Sequence, residues 1–361
     1  MTCSWTARRY SVGDEPSIVD LLNTTFGKWG GLEYWKWRYE RNPAGSPIIW
    51  LAESNGKIVG HYGLTPRVMK IGNMYVRGSL AADAATHPDY RGRGVFSCLA
   101  NKCLLDASAR GITLTYGFAN TRLAATYKRY EQIGHISFMT RLIKVLNWKS
   151  VLRTYLGKRP TEVAASDFLS FGSSSNDNLT IERIARFDGA IDRLWAAVAH
   201  RFTVVVRRDQ TYLNWRYTNN PSEEYAIYAG IKDDRILGYC VLKTLQWKGF
   251  TIGAIVDILG DEDEVIRSLI CTGVDWLKDH GADLVLCSMC EAHPFRNMFR
   301  STGFVAYPPL SRDTALYATI NLQGESIDER SAYSQSLLLS QSPFLKSKGN
   351  WFMMSGDGWW A

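Results

Sequence analysis

The sequence predicts a mixed α/β protein in which one architecture occurs twice along the chain. Two observations predict it: an internal repeat, and segments in which a strand pattern is followed by a helix pattern and then by another strand. The repeat is clearest where the residues from Tyr34 to Pro43 return 178 positions later as Tyr212 to Pro221, sharing Trp-Arg-Tyr and Asn-Pro. Later landmarks keep the same order, since Asp83 corresponds to Asp257.

In the first copy the predicted elements follow one another without long gaps. Ile48–Ala52 and Lys57–Leu64 are typical of a hairpin around Ser54-Asn55-Gly56, and Tyr75–Thr86 is typical of the next strand. A helix is predicted from Val95 to Arg110 and stops at Gly111, a strand over Ile112–Phe118 follows, and a second helix over Arg122–Gln132 is closed by Gly134.

Composition limits the class of protein. The 361 residues are 46% hydrophobic and 21% charged, which supports large cores and excludes a disordered chain. The net charge of +7 is too small to indicate a nucleic-acid partner by itself. Seven cysteines without a disulfide framework, no apolar leader and no run of about eighteen apolar residues predict a cytoplasmic protein without a membrane span. The lone Cys287-Ser288-Met289-Cys290 has no partner at zinc spacing, so no metal is expected.

The segment from Thr86 to Phe96 lies between a predicted strand and a predicted helix and offers a binding chemistry. Gly92 and Gly94 permit positive φ and close approach of a ligand, so that N–H groups at the start of the helix can converge on an anion. Arg91 and Arg93 add positive charge beside them. A phosphate suits this arrangement, whereas the spacing differs from the loops that bind dinucleotides or ATP.

At these residues the sequence resembles the GNAT superfamily of acyl-CoA-dependent N-acyltransferases. The family motif is Arg or Gln, two residues, Gly, one residue, and Gly or Ala; it is matched from Arg91 to Val95 and departs at Phe96. The resemblance implies a mixed, largely antiparallel sheet flanked by helices, with acetyl-CoA as the cosubstrate. It also implies that the loop holds the cofactor pyrophosphate through Arg91, Gly92, Arg93, Gly94, Val95 and Phe96.

The resemblance implies further roles on the neighbouring elements. Tyr130 corresponds to the tyrosine that lies close to the cofactor sulfur and acts as general acid for the departing thiolate, although Tyr127 is a rival one turn earlier. A backbone N–H at Ala85 or Thr86 corresponds to the oxyanion donor. Asn120, at the end of its strand, matches a cofactor-contacting position loosely.

A general base is needed to deprotonate the attacking amine, and the residues offer two candidates. Asp83 is the only carboxylate between Gly78 and Thr86, and His61 lies on the opposing hairpin with a side chain suited to accepting a proton near neutral pH. Attack through water is the alternative to both.

The second copy differs where the chemistry would occur. Asp261, Glu262, Asp263 and Glu264 stand where the basic glycine loop stood, and would repel a pyrophosphate, while Phe299 replaces Tyr130. We therefore expect two tandem GNAT-like folds with a degenerate second copy. The predicted boundaries are 1–160 for the first domain, 161–178 for a Ser/Asn/Gly-rich linker, 179–322 for the second domain and 323–361 for a C-terminal tail.

Two further segments bear on function. The segment from Arg122 to Arg159 contains nine basic residues and one acidic residue. This composition is typical of a solvated face or of a surface that steers an anionic ligand. The tail places Asp357 between two glycines, and we expect this carboxylate, or the terminal one, to reach the active site; an exposed tail is the alternative.

The predicted activity is transfer of an acetyl group from acetyl-CoA to a primary amine of a small molecule. An amino sugar or nucleotide-linked amino sugar of polysaccharide assembly is the acceptor that resemblance and charge favour. The alternatives are Fem-type aminoacyl transfer from charged tRNA, and a CoA-binding protein without turnover.

Overall fold

The computed structural model describes residues 4–127, 133–151, 178–247, 249–307, 314–320, 345 and 347–358. We call residues 4–151 the first half, residues 178–320 the second half and residues 347–358 the C-terminal segment. The mixed α/β class is confirmed: helices flank one large sheet in which most neighbouring strands are antiparallel.

The first half contains, in chain order, β1 (Thr6–Arg9), α1 (Glu15–Phe26), α2 (Leu32–Trp35), a π-helical turn (Lys36–Glu40), β2 (Ile48–Ser54), β3 (Lys57–Ile71), β4 (Met74–Thr86), a 3-10 turn (Pro88–Tyr90), α3 (Val95–Ala109), β5 (Leu114–Asn120), α4 (Thr121–Tyr127) and β6 (Gly134–Val145). The predicted hairpin, strands and helices of this half are confirmed, except that the end predicted for the last helix lies outside the described residues.

The second half repeats this order. Its elements are β7 (Thr180–Ile184), α5 (Ala190–Val198), a 3-10 turn (Ala199–Arg201), β8 (Val204–Val206), α6 (Gln210–Leu213), a π-helical turn (Asn214–Thr218), β9 (Ala226–Lys232), β10 (Arg235–Trp247), β11 (Phe250–Gly260), α7 (Asp263–Asp279), β12 (Leu284–Cys290), α8 (Arg296–Ser301), β13 (Val305–Ala306) and β14 (Thr314–Ile320). The C-terminal segment adds a 3-10 turn (Lys348–Asn350), β15 (Trp351–Phe352) and a second 3-10 turn (Ser355–Asp357).

Burial patterns explain why helices cover both faces of the first-half sheet. In α1 the residues Ile18, Leu21 and Leu22 recur at helical spacing and pack against one face. On the opposite face α3 buries Leu99 and Cys103 against β2 and β3. The strands β2, β3 and β4 therefore lie between two layers of helices.

The two π-helical turns meet where the halves contact each other. The Trp37 indole N–H donates to the main-chain carbonyl of Trp215 at 2.7 Å, and the Trp215 indole N–H donates back to the carbonyl of Trp37 at 3.0 Å. The two rings stack with centroids 5.3 Å apart. Because the same residue of each half makes the same bond to the other, the contact is nearly two-fold symmetric.

The halves also exchange strands. Along the sheet the order runs β1-β2-β3-β4-β5-β14-β6-β12-β11-β10-β9-β7. Thus β14 of the second half pairs with β5 along its whole length, while β6 of the first half pairs with β12. The domain boundaries predicted from the sequence remain a prediction, because the linker lies almost wholly outside the described residues and the sheet is continuous across the halves.

Candidate functional site

The predicted anion loop connects β4 to α3 and is open to solvent. Gly92 and Gly94 both have φ of 76°, the left-handed region that glycine adopts without strain. A Cβ placed on either would meet no atom of the described residues within 4 Å. Gly94 is the N-cap of α3, whose first turn holds no acidic residue, so the positive end of the helix faces this space. The loop therefore has room and polarity for a phosphate group.

The side chains of the loop divide between solvent and core. Arg91 and Arg93 are exposed, and the Arg93 guanidinium lies 5.4 Å from the centre of the Tyr90 ring. Val95 is buried, and Phe96 packs edge-on against Tyr62 with ring centroids 5.7 Å apart. Phe96, where the motif departs, thus turns its ring toward the core rather than into the loop.

A cleft opens beside this loop because two neighbouring strands separate. The parallel pairing of β4 with β5 covers Gly78–Leu80 against Leu114–Tyr116 and goes no further. Beyond it, Ala85 and Thr86 pair with β3, while Asn120 pairs with Thr314 of β14. Ala85 and Thr86 thus lie on one side of the gap between the separated strands and Asn120 on the other, and the glycine loop follows β4 at this end of the gap.

Asn120 also has a structural duty at this position. Its side-chain carbonyl accepts a hydrogen bond from the Leu123 N–H at 3.0 Å, which caps the start of α4. Tyr130 lies outside the described residues, as do 128–132 around it. Its role, and the rivalry of Tyr127, remain predictions.

Asp83 lies at a bulge in β4, where its φ of 53° places a non-glycine residue in the left-handed region. Its carboxylate is 2.9 Å from the Arg38 guanidinium, and it accepts hydrogen bonds from Tyr39 Oη at 2.6 Å and Trp29 Nε1 at 3.0 Å. The Asp83 and Arg38 side chains are 9% and 2% exposed. A carboxylate held by this many donors is poorly suited to remove a proton and well suited to fix the bulge.

The partners of Asp83 keep the charge states that this arrangement needs. Burial disfavours the charge of Arg38, but the Asp83 carboxylate together with Tyr34 and Tyr39 more than offsets this and keeps the pKa of Arg38 above its ordinary value. Burial, together with the charge of Asp83, raises the pKa of Tyr39 well above its ordinary value. Tyr39 therefore remains a donor, and Arg38 remains a cation.

His61 contacts the same bulge from β3. Its Nδ1 lies 2.8 Å from the Asp83 main-chain carbonyl, which can only accept, so Nδ1 carries the proton and Nε2 carries a lone pair. Nε2 is buried without a hydrogen-bond partner among the described residues. Burial lowers the pKa of His61, so the ring is neutral at pH 7 and can accept a proton. His61 therefore offers a neutral ring with an unengaged lone pair, and its role as the base remains a prediction.

Sequence reasoning overlooked the residues that hold Asp83. Arg38 and Tyr39 belong to the repeated Trp-Arg-Tyr, which the sequence presents as a packing repeat, and Trp29 has no counterpart pattern at all. A signal was nevertheless present in the sequence, because Tyr39 and Asp83 both recur in the second copy, as Tyr217 and Asp257. In the structure Tyr217 likewise donates to Asp257, at 3.1 Å. A carboxylate paired with this tyrosine is thus common to both halves.

The second half lacks the features of an anion loop. Its β11-to-α7 connection has Asp263 and Glu264 in the first helical turn, and the Arg201 guanidinium bonds the carbonyls of Gly260 and Asp261. The position of His61 is taken by Tyr239, which donates to Asp257 at 3.1 Å. Phe299 is fully buried in the core. In the described β11-to-α7 connection, acidic side chains and an Arg201 guanidinium bonded to carbonyls thus stand where the first half has its open basic loop.

Asp357 does not lie exposed in a tail. Its carboxylate is buried and lies 2.8 Å from the Arg208 guanidinium of the second half, while its main-chain carbonyl accepts from Tyr116 Oη of the first half at 3.1 Å. The alternative of an exposed tail is therefore wrong for this residue. Residues 359–361, including the terminal carboxylate, lie outside the described residues.

Two further findings concern metal binding and membrane-spanning helices. Cys287 and Cys290 are buried free thiols, and no cluster of three potential metal ligands occurs within the described ranges. In the part of the chain that the structure describes, every helix is too short or too polar to cross a membrane.

The fold of the first half, its glycine loop at a helix N-terminus and the gap between its separating strands agree with the predicted GNAT-type acyltransferase. Residues 6–135 match the family model described as the acetyltransferase (GNAT) domain. Residues 6–135 are therefore similar to the GNAT acetyltransferase domain, a family that binds acyl-CoA. No curated protein sequence matches the chain.

Solved structures are similar over most of the chain at low identity, and they support the fold alone. A GCN5-related N-acetyltransferase from Anabaena variabilis is 14% identical, with a TM-score of 0.62 over 88% of this chain and 73% of that one. A probable N-acyltransferase from Enterococcus faecalis is 13% identical, with a TM-score of 0.62 over 89% and 74%. N-myristoyltransferase from Saccharomyces cerevisiae, with bound myristoyl-CoA, is 11% identical, with a TM-score of 0.60 over 90% and 84%.

Proposed function

We propose that the protein transfers the acetyl group of acetyl-CoA to a primary amine, using one site in the first half of a tandem GNAT pair. The observation that supports this most directly is the open loop at Gly92 and Gly94, set at the mouth of the cleft between β4 and β5. The loop N–H groups and Arg91 would hold the pyrophosphate, and the cleft would receive the acyl end.

The residues of the cleft supply the remaining steps of acyl transfer. His61 accepts the proton of the amine at Nε2, directly or through a water, as the nitrogen attacks the thioester carbonyl. The oxyanion is stabilised by a backbone N–H at Ala85 or Thr86, on the cleft side of β4. Tyr130 protonates the departing thiolate, as the family resemblance implies. Asp83 acts as a positioning residue that fixes the β4 bulge, which His61 contacts from β3 and beside which Ala85 lies.

The class of acceptor is proposed as a small-molecule amine. An amino sugar joined to a nucleotide remains the first acceptor to test, because the basic run from Arg122 to Arg159 would attract its phosphates. Most of that run lies outside the described residues, and within them Lys144 already donates to the Thr302 carbonyl at 2.8 Å.

Calorimetric titration of acetyl-CoA tests the cosubstrate and its loop. We expect saturable binding by the wild type and loss of binding in Gly94→Asp, because a carboxylate about 5 Å from a phosphate charge costs about 3 kcal/mol at an effective dielectric constant of about 20, or roughly 150-fold in affinity. Gly111→Asp is the matched control: Gly111 has φ of 71° and equally open surroundings, but lies at the far end of α3. Equal losses in both variants would contradict the assignment.

Turnover is tested by following thiol release with a panel of amines. Release that depends on an amine, on Gly94 and on His61 supports N-acetyl transfer. Binding of acetyl-CoA by folded protein without release for amino sugars, nucleotide-linked amino sugars, polyamines or peptides would instead indicate a CoA-binding protein.

A further inference from the structure

The second half contains a cleft that corresponds to the candidate cleft of the first. Its strands β11 and β12 run parallel and pair over Ile252–Ile255 against Leu284–Cys287. Pairing stops there, as it does between β4 and β5, although both strands continue to Gly260 and Cys290. Two separating strands therefore expose main-chain groups to a shared gap.

The C-terminal segment lies in this gap. The Cys290 N–H donates to the Met353 carbonyl at 3.0 Å, and Met354 forms a bridge with Met289 of β12. On the other side Ser355 Oγ donates to the Val256 carbonyl of β11 at 3.3 Å. The segment thus bonds to both separated strands, and its residues from Trp351 to Gly358 are all buried.

Two arginines of the second half bind this segment. Arg216 donates to the carbonyls of Gly356 at 3.0 Å and Gly358 at 2.9 Å, and Arg208 forms the ion pair with Asp357. Arg216 corresponds to Arg38, which in the first half binds the side chain of Asp83. The same position in the repeat therefore binds a carboxylate in one half and peptide carbonyls in the other.

The fit at Gly356 is selective for glycine. A Cβ at this position would lie 2.1 Å from Tyr217 Oη and 2.9 Å from the Val256 carbonyl, whereas a Cβ at Gly349, in the same segment, would meet no described atom within 4 Å. A groove recognises an extended peptide through main-chain hydrogen bonds and through pockets for particular side chains. Here the main-chain bonds go to both strands, the salt bridge is made by Asp357, and the steric requirement falls on Gly356.

We propose that the cleft of the second half is a peptide-binding groove whose ligand is residues 353–358 of this chain, recognised through Gly356 and Asp357. A consequence, which rests on the proposed function, is that acyl-CoA has a single site per chain, in the first half. The groove is filled by the chain itself, and the segment ties the halves together through the bond from Tyr116 to the Asp357 carbonyl.

Hydrogen exchange followed by mass spectrometry tests the occupant. The amides of residues 353–358 exchange slowly in the wild type and in Gly349→Ala, and lose protection in Gly356→Ala. Adding Tyr217→Phe to Gly356→Ala removes the closest clash and restores part of the protection. Rapid exchange of this segment in the wild type, or equal protection in both alanine variants, would overturn the proposal even if Gly356→Ala proved hard to produce.

A labelled synthetic peptide of residues 347–358 tests the groove. It binds folded Gly356→Ala chain, from which the resident segment is released, but not the wild type, and a peptide with Ala in place of Gly356 binds at least tenfold more weakly. Absence of binding to the vacated groove, or equal binding to the wild type, would overturn the assignment.

Acetyl-CoA titration separates this inference from the proposed function. One site in the wild type and none in Gly94→Asp support both. Two sites in the wild type, of which one survives Gly94→Asp, overturn the inference that the second cleft is closed and leave the proposed function intact. No binding by the wild type overturns the proposed function alone, and the exchange experiment then decides the groove.

Discussion

The contact between Arg38 and Asp83 makes a quantitative prediction, because both side chains are almost fully removed from water. Asp83→Asn keeps the shape of the side chain and tolerates a positive φ, but leaves the Arg38 charge uncompensated. Arg38→Met does the converse. Removing one partner of a buried ion pair costs about 3–5 kcal/mol, so each single variant should lose that much free energy of unfolding.

The double variant separates a pair from two independent residues. Once one charge is gone, removing the other relieves the unpaired charge, so Arg38→Met with Asp83→Asn should cost no more than either single change. The coupling energy from the double-mutant cycle is then about 3 kcal/mol or more. Urea denaturation followed by tryptophan fluorescence measures all four free energies.

An exposed ion pair provides the control. Lys348 and Glu291 lie 2.9 Å apart with side chains 58% and 43% exposed, and the cycle on this pair should couple by less than about 1 kcal/mol. If the losses at Arg38 and Asp83 simply add, the pair does not fix the bulge. Activity adds a second criterion: as a positioning residue, Asp83 should change kcat when replaced without removing the acid limb of the pH profile, which loss of a general base would remove.

Three further predictions concern His293, His61 and the hydrogen bond from Tyr116 of the first half to the C-terminal segment. Burial lowers the pKa of His293 to about 3, so below pH 6.5 the unfolded chain takes up a proton that the folded chain refuses. The free energy of unfolding should therefore fall by up to about 1.4 kcal/mol per pH unit between pH 6.5 and 3, and His293→Phe should reduce that slope by one proton in denaturation curves across this range. Since burial also lowers the pKa of His61, the acid limb of kcat/KM should lie below pH 6.5 and disappear in His61→Ala; an unchanged limb would exclude His61 as the base. Tyr116→Phe removes the donor to a buried Asp357 carbonyl and should cost about 1–3 kcal/mol in urea denaturation, whereas a loss under about 0.5 kcal/mol would show that this bond does not hold the segment.

The elements of the first half could be predicted because their signals are local. Hydrophobic spacing and a terminating glycine set the helix from Val95, and alternation with a polar turn sets the hairpin before it. The conformation of the loop at Gly92 and Gly94 could also be predicted, because glycine is the residue that adopts the positive φ found there. The link from Asp83 to Arg38 was not, because a bond across 45 positions leaves no local pattern.

The pairing of the last strands was also beyond the sequence. Both β6 and β14 follow a helix in the order that the repeat predicts, and nothing in their residues distinguishes a neighbour in the same half from one in the other. The sequence predicted that the Asp357 carboxylate reaches the active site, whereas it pairs with Arg208 of the second half, a partner that became visible only when distant segments were brought together. Local chemistry was therefore predictable, and long-range pairing was not.

The exchange of β6 and β14 has a consequence for biosynthesis. Thr314 lies 194 positions after its partner Asn120. During synthesis the edge of β5 therefore stays unpaired until β14 has left the ribosome. Pairings of such sequence separation are slow to form, and an uncovered strand edge invites association with other chains. We therefore expect that the first half does not complete its fold on its own during translation, and that a fragment ending after residue 160 depends on chaperones.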